Sequence, residues 1–108
     1  MKLCILGAVA LILSAAGHAQ ADDRITGTAS SFRAITKGAC GFNMTPASAL
    51  RAATTLGMSN LREPLIPAML AVCQEVINGN KSQTIEIRVP DNRNVMRKVT
   101  LERAKWWQ

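Results

Sequence analysis

Histidine and tyrosine are almost missing from this chain. There is no Tyr, and the one His, His18, lies close to the N-terminus. Beyond His18 there can be no Ser-His-Asp or Cys-His arrangement, no imidazole ligand for zinc, and no side chain that ordinarily titrates near neutrality. Acidic residues are also scarce, 7 against 13 Lys and Arg. The seven, Asp22, Asp23, Glu63, Glu75, Glu86, Asp91 and Glu102, include no spaced pair of the kind a glycosidase needs. Cysteine is limited to Cys4, Cys40 and Cys73. Catalysis is therefore not the expected activity, and no cofactor or metal is implied.

The single long apolar run occupies Leu3 to Ala16, after the basic start Met1-Lys2 and before Gly17-His18-Ala19-Gln20-Ala21. Basic start, apolar core and an Ala-x-Ala ending form the pattern of a secretory signal peptide, expected to span residues 1–21 with cleavage after Ala21. His18 and Gln20 interrupt the run before the roughly 20 residues needed to cross a bilayer. Asp22 stands where a lipid-anchored protein would carry cysteine. The expected location is outside the cytoplasm, periplasmic in a double-membraned bacterium and secreted otherwise, with no transmembrane segment in the mature chain.

Cys4 leaves with the signal, and Cys40 and Cys73 remain as an even pair in an exported chain, which reads as a disulfide. Such a bridge would contribute about 3–4 kcal/mol in the chain-entropy model. That is a large share for a domain this small, which buries only about 60% of its unfolded surface. The pair also removes any cysteine nucleophile. Cys40 and Met44, and Met69 and Cys73, put sulfurs four residues apart in a pattern suited to Cu(I), but an oxidising compartment favours the disulfide.

Residues 22–39 read as a polar leader or an edge strand, and residues 40–108 as one small α+β domain. Within the domain, Thr45 as N-cap and Pro46 in the first turn open a helix. Leu50, Ala53, Leu56 and Gly57 are expected on its core side, and Gly57 at its end. A second helix begins near Glu63-Pro64, because Pro67 is tolerable only in a first turn. Its apolar stripe is read as Ile66, Met69, Leu70, Cys73, Val76 and Ile77, and Asn78-Gly79-Asn80 stops it. The short connection predicts an antiparallel helical hairpin, which brings Cys40 and Cys73 together.

A C-terminal β-hairpin is expected over residues 84–101. Ile85, Ile87 and Val89 alternate with polar residues, as do Val95, Val99 and Leu101. A loop of three or five residues keeps both apolar sets on one face; it is expected to pair Ile85 with Val99, Val89 with Val95, and Glu86 with Lys98. Arg97 then falls on the inner face near the tip.

A helix-turn-helix resembles the stretch around Ala53, Leu56, Gly57 and Met58, but Pro64 and Pro67 would lie in the helix that reads bases, so DNA binding is not expected. Binding of another kind is the expected role. Lys81, Arg88, Arg93, Arg97, Lys98, Arg103 and Lys105 outnumber Glu86, Asp91 and Glu102 near the C-terminus, and Trp106-Trp107 follow. Arg93, Arg97, Arg103, Lys105, Trp106 and Trp107 are thus candidates for contacting a protein partner or an anionic surface. Two rival readings remain: a small carboxylate-dependent hydrolase or lysis-type enzyme, and a structural component of the cell envelope.

Overall fold

The computed structural model describes residues 24–59 and 64–105. The expected signal peptide and its cleavage site lie outside them, as do Trp106 and Trp107. The fold is α+β: three helices and a two-stranded antiparallel hairpin. The helices are α1 (24–40), α2 (Pro46–Leu56) and α3 (Leu65–Ile77), and the strands are β1 (Thr84–Pro90) and β2 (Met96–Glu102).

The first helix corrects the sequence expectation. Residues 24–39 are neither a leader nor an edge strand, because Ile25, Ala29, Phe32, Thr36 and Cys40 recur at helical spacing and face inwards. Gly27, Thr28, Ser30 and Ser31 are poor helix formers. Burial of Ala29 and Phe32 in the common core outweighs that handicap.

At α2 the local chemistry follows the sequence. Thr45 accepts the N–H of Ser48 at 3.2 Å through its hydroxyl, and Pro46 sits in the first turn. Gly57 closes the helix in the left-handed conformation, φ 65° and ψ 41°, and its N–H returns to the carbonyl of Thr54. The buried side is Ser48, Ala49, Ala52, Ala53 and Leu56. Leu50, expected inside, is exposed, since it lies beyond the edge of that small-residue face.

The strands present Ile85, Ile87, Val89, Val99 and Leu101 to the helices, with α2 packed chiefly on β2 and α3 on β1. The loop is odd, as parity requires: it covers residues 91–95 and joins Pro90 to Met96. Its register differs from the expected one by two residues, a shift that leaves every side chain on its expected face. Ile85 pairs with Leu101, Ile87 with Val99 and Val89 with Arg97. The cause is Asp91, whose carboxylate accepts the N–H groups of Arg93 at 2.8 Å and Val95 at 2.9 Å. Val95 is thereby held in the loop rather than opposite Val89. Glu86 and Lys98 meet diagonally at 3.7 Å instead of directly across.

Beyond the hairpin, residues 43–45 run alongside residues 102–104. Thr45 N–H donates to the Glu102 carbonyl at 2.9 Å and Ala104 N–H to the Asn43 carbonyl at 2.7 Å. The Ser48 hydroxyl accepts the Glu102 N–H at 3.1 Å and donates to the Thr45 carbonyl at 3.2 Å, so a buried polar group is fully used where α2 meets β2. The disulfide joins Cys40, at the end of α1, to Cys73 on α3, with the two Cα atoms 5.5 Å apart.

Candidate functional site

The third helix exposes part of what the sequence placed inside. In α3 the buried residues are Leu65, Ala68 and Val72. Ile66, Leu70 and Ile77, assigned to the core side by their spacing, are 40%, 59% and 75% exposed. The reason is that α3 is apolar nearly all the way round, so periodicity alone does not say which side meets the core. The inner side is the one whose small residues, Ala68 and Val72, let the helix close on β1. The remaining side is a stripe of Ile66, Leu70, half-buried Cys73 and Ile77, at intervals of four, three and four. Helices that are apolar on all sides are ordinarily covered on all sides. Here the described part of the chain covers one.

Charge is arranged around this stripe rather than on it. No cation lies within α3, and its one carboxylate, Glu75, accepts the side-chain amide of Asn80 at 3.5 Å. At the start of α3, Pro64 and Pro67 line a groove of about 520 Å3 together with Pro90 of β1 and with Asp91, Asn92, Arg93 and Asn94 of the hairpin loop. At its end, Arg103 donates to the carbonyls of Asn80 at 3.0 Å and Ser82 at 3.2 Å, and exposed Lys81 stands between those two residues. Arg93 therefore lies on the groove beside the first turn of α3, and Lys81 and Arg103 lie on the chain that follows its last turn.

The residues singled out from the sequence have different surroundings. Arg93 is exposed on the loop. Arg97 falls opposite Val89 on the inner side, half exposed, and donates through Nε to Asp91 at 3.0 Å. The Asp91 carboxyl, held by the N–H of Val95, by Arg97 and by the N–H of Arg93, is lowered from the ordinary 3.8 to about 2. Arg103 is half-buried, with its guanidinium 4.8 Å from the centre of the Phe42 ring, so it braces the chain crossing between residues 42 and 103. Lys105 is exposed. Trp106 and Trp107 fall outside the described residues.

The described carboxylates are dispersed. Glu86 faces Lys98, Glu102 faces Arg51 at 3.0 Å, Asp91 faces Arg97 and Glu75 faces Asn80. No group of three or more His, Cys, Asp or Glu side chains suited to a metal occurs among the described residues. Nor is any helix among them long and apolar enough to cross a membrane. Comparison with protein-family models, with curated proteins and with solved structures gives no significant match.

Proposed function

We propose that this is a small exported, disulfide-stabilised protein that acts by binding a protein partner rather than by catalysis. The observation that carries this reading is the exposed stripe of Ile66, Leu70 and Ile77 on α3. A contiguous apolar surface rimmed by polar groups is a common mark of a protein contact. The exposed cations Arg93 and Lys81, on the segments that flank α3, give the partner's chemistry: an apolar patch bordered by carboxylates. A second copy of the chain fits less well, because it brings further cations against these. Export agrees with the signal-like residues 1–21 and with a disulfide between Cys40 and Cys73. Trp106 and Trp107, singled out from the sequence as binding residues, are proposed to contribute to the same interaction.

The test is a photo-crosslinking amino acid at position 70 or 77, introduced into the full-length protein in the producing organism. The expected result is an adduct with one heterologous protein, lost when Ile66→Asp is added and absent when the crosslinker stands at Arg88 on the outer hairpin face. An adduct of twice the chain's own mass, or equal labelling from position 88, overturns the proposal. Removal of residues 106–108 is expected to weaken the adduct without changing the melting temperature of the free protein.

A further inference from the structure

A second charged feature lies on α1, separate from the α3 stripe and independent of the partner it is proposed to bind. The described part of α1 carries Arg24, Arg33 and Lys37 and no carboxylate. Ser30, Arg33, Ala34 and Lys37 recur at intervals of three, one and three, which places them on one side of the helix. With Asn43 they line a groove of about 210 Å3.

The arrangement of Arg33 gives the groove its direction. Its Nε donates to the Met44 carbonyl at 3.1 Å, which anchors the half-buried side chain against the turn after α1. Both Nη groups are left without a partner among the described residues. Four carboxylates occur there, and each is engaged elsewhere: Asp91, Glu86 and Glu102 with Arg97, Lys98 and Arg51, and Glu75 with Asn80. None lines the groove. The Ala104 N–H donates to the Asn43 carbonyl, so the backbone leading to Lys105 passes beside it.

We propose that this groove binds a phosphate group. The two Nη groups of Arg33 present the fork that suits two phosphate oxygens, and Lys37 supplies a second positive charge one turn away. Ser30 and Asn43 add a hydroxyl and an amide as neutral donors. Two cations with no local carboxylate match the roughly −1.5 to −2 charge of a phosphate monoester better than the single charge of a carboxylate. The phosphate arrives either as the free ion or as the headgroup of an anionic lipid, two sources with the same recognition chemistry.

Titration of the isotope-labelled, disulfide-intact protein with inorganic phosphate, followed by NMR, tests the site. Saturable shifts are expected at residues 30–43 and at the Arg33 side chain. Lys37→Gln, an exposed change that spares the Met44 contact, is expected to weaken binding about tenfold. Arg33→Lys keeps the charge but loses the fork, and is expected to weaken it as well. In a parallel arm the protein is sedimented with vesicles of phosphatidylcholine, with and without phosphatidic acid, whose headgroup is a phosphate monoester. Binding to the mixed vesicles alone, reduced by Lys37→Gln, assigns the lipid headgroup; saturation by inorganic phosphate without vesicle binding assigns the free ion. The proposal is overturned if neither ligand binds, if shifts centre on Arg88 or Arg93, or if Lys37→Gln binds both as tightly as the unchanged protein.

Discussion

Asp91 is the side chain on which the hairpin loop turns. One carboxylate oxygen takes the N–H groups of Arg93 and Val95, and the other takes the Arg97 Nε. All three bonds favour the ionised form, which is why the carboxyl titrates at about 2 rather than 3.8. A carboxyl with a depressed native pKa stabilises the fold above its unfolded value, and that contribution is lost as pH falls from 3.8 towards about 2. The melting temperature is therefore expected to drop across that window. Asp91→Asn is expected to melt lower at neutral pH and to show a shallower acid decline, measurable by circular dichroism over a pH series. Gly57 is the second sensitive residue. A Cβ there would stand 2.6 Å from the Asn92 side chain, in a backbone conformation at φ 65° that L-residues avoid. Gly57→Ala is expected to cost about 1–2 kcal/mol from the backbone alone, read by urea denaturation.

Among the elements, α3 separates two kinds of apolar residue that hydropathy treats alike. Leu65→Ala is expected to cost about 2–5 kcal/mol, because it opens a cavity under a fully buried side chain. Ile77→Asn is expected to stay within about 0.5 kcal/mol, because that side chain is 75% exposed. Denaturation of the two variants side by side checks the inward and outward assignment. Local chemistry made several elements legible in advance: the Thr45-Pro46 start, the Gly57 stop, the first-turn position of Pro67 and the odd hairpin loop. Each depends on residues within a few positions of one another. What was not legible depends on distant partners. The helix over 24–40 is set by packing of Phe32 and Ala29 into a core built from residues far along the chain. Register was settled by the capture of two loop N–H groups by Asp91, and alternation cannot detect a two-residue slip. The sequence named the tail cations as a site, yet Arg103 is occupied in bracing Phe42 and the turn after α3. Of the predicted α3 stripe, Met69 and Val76 do pack against the core, whereas Ile66, Leu70 and Ile77 face outwards.

At the scale of the molecule, the Cys40–Cys73 bridge encloses α2 and most of α3 in one covalent loop. Its removal, by reductant or by Cys40→Ala with Cys73→Ala, is expected to lower stability by about 3–4 kcal/mol. A total of about 5–10 kcal/mol is usual for so small a domain. The expected outcome is a large fall in the urea midpoint, with the fold marginal at body temperature. Residues 43–45 lie against residues 102–104, so the N-terminal half finishes its hydrogen bonding only on the last strand. A nascent chain therefore stays open until residues 102–104 have been made, since its decisive long-range contacts need them. Until then such a polypeptide remains threadable through a narrow conduit, and it locks only once that crossing of residues 43–45 with 102–104 is complete.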